Sequence, residues 1–270
     1  MEWLSMKETR RILGADGWSH WDRIETDQKR GIASPPIQLA LPDTSQTIDL
    51  VPPEKITIGR MSLFTAIEQR RSHRKFTGES FTLEELSFLV WATQGLTRIV
   101  GNQGANLRTV PSGGGRHPFE TYLAVSRVAD VPEGVYRYDV LGHRLLRLMA
   151  PETMSSETLT KGCRNQHYFE GAAVTFIWTV VPYRTSWRYG ELSPKTIAQD
   201  SGHMCQNLYL AATSIGAGTC AIGAYYQDVM DKLLGVDGSN EFVIYIAPVG
   251  KVETLTKLDH EAQFRAKYAS

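Results

Sequence analysis

The chain has 270 residues, and its 29 Lys and Arg are balanced by 29 Asp and Glu. A neutral chain carries no global field for a polyanion, which argues against a nucleic-acid partner. Cys163, Cys205 and Cys220 form no C-x-x-C pair and no even framework, so neither a disulfide scaffold nor a metal site is expected, and a reduced cytoplasmic setting fits. The start MEWLSMKETRR lacks an apolar signal core. The most apolar run, GAAVTFIWTVVPY at 171–183, is too short and too β-branched to cross a bilayer. These features describe a soluble protein with no membrane partner.

In chain order, residues 1–61 are rich in proline, carry Trp3, Trp18 and Trp21, and show no long periodic segment. They read as an ordered arm wrapped on a second unit, 62–270, because a disordered arm would seldom hold so many aromatics. The stretch SLFTAIEQRR predicts a helix capped by Ser62, with Leu63, Ala66 and Ile67 on one face. In FTLEELSFLVWATQG, Thr82 and Glu85 have capping-box spacing, Leu83, Leu86, Leu89 and Val90 form a stripe, and Gly95 is the stop. A loop rich in Gly, Asn and Pro follows at 101–118. Strands are expected at 121–128, 134–140 and 144–150, the last two joined around Leu141-Gly142-His143, with a short helix near 152–161.

The near-continuous apolar run at 174–181 predicts a strand buried on both faces. Ser193-Pro194 marks a capped helix start. That helix runs to Gly216, with Ala198, Met204, Leu208, Ala211, Ala212 and Ile215 on its buried side. QDVMDKLLG predicts a helix ending at Gly235, and EFVIYIAPVG (241–250) a final interior strand. Strands grouped between helices indicate an α+β fold.

Two stretches carry unusual chemistry. RRSHRKF (70–76) packs four cationic groups around Ser72. Arg70, Arg74 and Ser72 have the donors to converge on one phosphate. The same residues near a helix C-terminus also complement its dipole. PSGGGRHPFE (111–120) contains three consecutive glycines, which are costly unless the backbone needs conformations or approaches closed to other residues. Such a loop can press N–H groups against a flat or anionic ligand, or it is a plain surface turn.

Other patterns exclude chemistry. IGAGTCAIGAYY (215–226) contains G-x-G-x-x-A, but a helix precedes it and none follows at once, so a dinucleotide-binding reading is rejected. His203 and Cys205 point to different helix faces, and there is no metal-ligand spacing or G-x-S-x-G elbow. Cys163 and Cys220 are expected as buried thiols and His203 as an interior histidine.

In their order and spacing, RRSHRKF, PSGGGRHPFE, DSGHMCQNLYLAATSIGAGTCAIGAYY and IYIAPVGK resemble the FMN-dependent nitroreductase family, in the form of its SagB-type dehydrogenase branch. The resemblance covers roughly 62–251, and WDRIETDQKRGIASPPIQL suits the branch more loosely. It implies a three-layer α-β-α sandwich with a mainly antiparallel central sheet, an entwined homodimer, and FMN bound non-covalently at the dimer interface. By that resemblance Arg70, Ser72 and Arg74 bind the phosphate and ribityl chain or the ring edge, with Arg71 nearby. Pro111, Ser112, Gly113 and Gly114 line the ring from the second subunit. Ile222 and Gly223 approach the reactive ring nitrogen with a backbone N–H, and Lys251 is a further phosphate candidate.

The implied activity is ping-pong hydride transfer from NADH or NADPH to a nitroaromatic, quinone or similar oxidant. Flavin carries that chemistry, so no acid–base residue is obligatory. An alternative within the branch is azoline dehydrogenation on a peptide, which uses an adjacent Lys–Tyr pair. The pair present here, Lys267-Tyr268, lies near the chain end, whereas Arg188-Tyr189 stands closer to the expected site as a catalytic candidate. A third reading is a non-enzymatic module that binds an anionic partner.

Overall fold

A computed structural model describes residues 5–43, 46–100, 105–149 and 154–253. Its centre is a seven-stranded sheet of β1 (Thr47–Asp49), β4 (Phe119–Val125), β5 (Gly134–Asp139), β6 (Arg144–Met149), β7 (Val174–Val180), β8 (Ala217–Thr219) and β9 (Phe242–Lys251). The order is β1-β6-β5-β4-β7-β9-β8 and every pairing is antiparallel. A separate hairpin pairs β2 (Leu96–Val100) with β3 (Ala105–Arg108).

Side chains alternate across the sheet and build a core on each face. On one side Leu123, Val125, Phe176 and Trp178 pack with α3 (Leu83–Gln94) and α6 (Ser193–Ser214). On the other, Tyr122, Ala124, Ile177 and Ile246 pack with α4 (Ser156–Gly162) and α7 (Gln227–Leu234). This three-layer arrangement explains why β7 is buried throughout and apolar except at Thr175 and Thr179: both of its faces are covered.

Local signals set several boundaries. Thr82 and Glu85 form the reciprocal capping box of α3, which stops at Gly95. Ser62 caps α2 (Leu63–Gln69) by accepting from the Thr65 N–H. Gly235 ends α7 in a left-handed conformation. In the arm, α1 (Met6–Leu13) starts at a Ser5–Glu8 capping box, and a 3-10 turn follows at Asp16–Arg23. Further along, Gln28 N–H donates to Trp187 O, Gln38 bonds Asp139, and Leu39 N–H donates to Glu120.

Three expectations are corrected. Ser193 does not cap α6; a 3-10 turn at Gly190–Leu192 runs directly into the helix, which leaves Leu192 as N-cap with no side-chain bond. Ala198 is exposed, and Ile197, Asp200 and Ser201 lie on the buried side instead. His203 is exposed as well, with its imidazole 3.9 Å from Asp200. The first residues of the helix expected near 152–161, and Lys267-Tyr268, lie outside the described residues.

Candidate functional site

After α2 the chain runs extended over the sheet edge formed by β8. Ser72 pairs with Thr219 in a parallel bridge, and His73 N–H donates to Thr219 O at 2.9 Å. Contact is close: a Cβ at Gly218 would stand 2.6–2.7 Å from His73, so only glycine fits there. In an extended segment alternate residues share a face, which sets Arg70, Ser72 and Arg74 together and His73 opposite.

That face meets the C-terminal half of α6. The Ser72 and Tyr209 hydroxyls are 3.1 Å apart, and the Arg70 guanidinium lies 5.3 Å over the Tyr209 ring. Arg74 lies 5.6 Å over Tyr168. Burial pushes the Cys220 thiol above its usual range, and Arg74 and Tyr209 pull it back down. Among the described residues, neither Arg70 nor Arg74 pairs with a carboxylate. Arg71 differs: it donates to the carbonyls of Glu68 and Arg70, the helix-end role that its position also allowed.

The glycine loop is held by the N-terminal half of α6. Ser112 Oγ donates to Asp200 at 2.6 Å, Gly113 N–H donates to both Asp200 oxygens at 3.2 Å, and His117 N–H donates back to Ser112 Oγ at 2.9 Å. Burial raises the Asp200 carboxyl above its ordinary range, while the Ser112 bond lowers it. Gly114 sits at φ +61°, where a Cβ would stand 2.7 Å from both Arg188 and the Tyr189 hydroxyl. Part of the demand for glycine therefore comes from the chain's own α5 (Pro182–Tyr189). Pro111 is exposed at the start of this loop. Tyr189 also meets Trp18 and Trp21 of the arm at centroid distances of 5.9 and 6.2 Å.

Within one chain the loop and the arginine face do not meet. Their anchors, Asp200 and Tyr209, are separated by about 13 Å along α6 at 1.5 Å per residue. Ile222 is buried and its N–H is spent on Ile246 O at 2.7 Å, so it is not available to a ligand. Gly223 is exposed, with open space where a Cβ would lie. Lys251 is tied to Glu85 and to Ile215 O, so the structure gives its ammonium a role in joining β9 to α3.

Sequence reasoning missed Asp200 and Tyr209. Asp200 stands in phase with Met204 and Leu208 on the buried stripe of α6, and a carboxylate in that stripe is itself the signal. Tyr209 had no comparable mark.

An antiparallel sheet between two helical layers, with a basic extended segment on its edge, defines a nitroreductase-type α+β protein. Residues 67–251 match the Nitroreductase family, and the chain belongs to it. It is 32% identical over 194 residues to a protein assigned to the nitroreductases, MJ1384 of Methanocaldococcus jannaschii, covering 72% of this chain and 93% of that one. It is 30% identical over 142 residues to the trifolitoxin-processing protein TfxB of Rhizobium leguminosarum bv. trifolii, covering 50% of this chain but 37% of TfxB. Among solved structures, a protein of Ralstonia eutropha JMP134 assigned to the nitroreductases aligns at TM-score 0.64 and 25% identity, over 80% of this chain and 94% of that one.

Proposed function

We propose that the chain is an FMN-dependent oxidoreductase acting as a homodimer with shared sites. The observation that carries this reading is the face at 70, 72 and 74, where two guanidiniums without carboxylate partners flank a hydroxyl. The donor set fits a phosphate monoester. Arginine remains charged at any working pH and presents a planar fork, and the serine hydroxyl adds a further donor.

Arg70, Ser72 and Arg74 would hold the phosphate end. Tyr209 positions Ser72 from behind, and Gly223 leaves the approach beside the buried Ile222 open. The loop at 111–114 would come from a second copy, because in its own chain it is anchored on α6 nine residues before the tyrosine that meets the arginine face. Bound FMN would supply hydride transfer between NADH or NADPH and a nitroaromatic, quinone or similar acceptor. The protein's task is then position and charge: a cation near the group favours its reduced, anionic form.

A second reading is supported by the likeness to TfxB and by the placement of Tyr189. In that reading the substrate is a peptide whose azoline ring is oxidised, and Arg188 and Tyr189 beside the glycine loop act on it. The test of the first reading is the absorption spectrum of the purified protein and of its denatured supernatant. About one flavin per chain is expected, with bleaching on addition of a reduced nicotinamide. A protein that yields no flavin and takes none up on reconstitution defeats both readings and leaves a binding module for an anionic partner. A protein that holds flavin but oxidises only a heterocyclised peptide selects the second.

A further inference from the structure

Beneath the arm, away from the arginine face, buried guanidinium nitrogens are left without acceptors among the described residues. Arg116, Arg137 and Arg184 are all buried; Glu120 lies among them, the half-buried Glu241 also acts on Arg137, and the buried Asp200 is spent on Ser112 and Gly113 of the neighbouring loop. Both Glu120 oxygens are committed, one to Arg184 and Leu39 N–H, the other to Arg137. Arg184 also donates from Nε to Pro36 O, yet its Nη1 has no acceptor among the described residues. Arg116 is 3% exposed; its Nε is buried without an acceptor among the described residues, and its guanidinium lies 4.8 Å over the Trp187 ring.

Helix geometry places these groups together. Arg184, Trp187 and Arg188 lie three and four residues apart on one face of α5. The 112–117 loop packs on that face, with Arg116 over Trp187 and Gly114 against Arg188. Asn106, whose Nδ2 is likewise buried and unmatched, lies beside Gly115 on the same loop. Orphaned donors on permanently charged groups, buried to this degree, call for a negative partner.

We propose that a small monovalent anion, chloride-sized, is held between Arg116 and Arg184 beneath the 112–117 loop. Enclosure limits the ligand to an ion of that size: Arg184 is 1% exposed, and no peptide or nucleotide reaches it. The imidazole of His117 is consistent with such a place. Burial, then the positive charge of Arg108, Arg116 and Arg184, lowers it to about 3, so it adds no competing charge near neutrality. The site does not depend on the flavin reading, and bound anion would fix the glycine loop whether or not a cofactor is present.

The test is a crystal of the wild-type protein grown or soaked in bromide, with anomalous scattering recorded, together with thermal unfolding in chloride and in gluconate at equal ionic strength. An anomalous peak within hydrogen-bonding reach of Arg116 and Arg184 is expected, with a midpoint higher in chloride by on the order of 2–4 °C. Arg116→Gln should abolish that difference. Density at the site without anomalous signal identifies water and overturns the proposal, whatever chloride does to the midpoint. Equal midpoints in the two salts overturn it as well. Because the wild-type measurements decide the matter, failure of the variant to fold leaves the proposal testable.

Discussion

The Tyr209 hydroxyl lies 3.1 Å from Ser72 Oγ and accepts the Ala221 N–H at 2.9 Å. One phenol on α6 therefore ties the basic segment to the turn that follows β8, and sets where the serine between the two arginines can point.

Tyr209→Phe keeps the ring beneath Arg70 but removes that tie. The Ala221 N–H loses its acceptor in a partly buried place, which should cost about 1–2 kcal/mol of stability in urea unfolding. Flavin affinity, read by fluorescence titration, should fall with it. Unchanged affinity would show that Ser72 is placed by the bridge to Thr219 alone.

Arg70→Ala and Arg74→Ala each remove a charged donor from the proposed phosphate face. Each should weaken flavin retention by about 1.5–3 kcal/mol, which is roughly ten- to a hundredfold in dissociation constant. Arg71→Ala, whose guanidinium is occupied by the α2 carbonyls, should have a much smaller effect. Equal losses from all three would mean that general positive charge matters and this face does not.

On α2, Leu63, Phe64 and Ile67 are 66%, 76% and 57% exposed. In the proposed dimer this apolar trio would be covered by the second copy. Phe64→Asp should convert dimers to monomers in analytical ultracentrifugation and abolish flavin binding in parallel. A flavin-loaded monomer would refute the shared-site arrangement.

His117 gives the protein a defined sensitivity to acid. Its imidazole drops from an ordinary value of 6.5 to about 3, first through burial and then through Arg108. Between those values the unfolded chain binds a proton that the folded chain refuses. Stability is therefore full above pH 6.5 and declines as pH falls through the window, by at most about 1.4 kcal/mol per pH unit. Position 117 has φ +44°, which asparagine tolerates. His117→Asn should flatten the fall of the unfolding midpoint between pH 7 and 4.5; an unaltered profile would assign the acid transition to other groups.

Where a signal is local, the sequence was legible. The Thr82–Glu85 box and the β7 apolar run contain their own causes, a reciprocal cap and a strand covered twice, and both stand as read. RRSHRKF was legible as a donor cluster, but its alternation depends on pairing with Thr219, a residue nearly 150 positions away. The apolar face of α2 was read correctly as a pattern, yet periodicity does not say what covers a face, and in this chain only Ala66 is buried. Ser193 failed as a cap because the preceding 3-10 turn already supplies helical geometry at Leu192. Asp200 stayed hidden because its partners, Ser112 and Gly113, come from a loop whose position only the tertiary fold fixes.

A 22-residue rod carries both grips, one in its first half and one in its second. The glycine loop and the basic edge are thus bolted to a common beam, and neither can drift without dragging or tilting the other. Two such beams set side by side would fix the width of any cleft between copies by their own length, with little left for side chains to adjust.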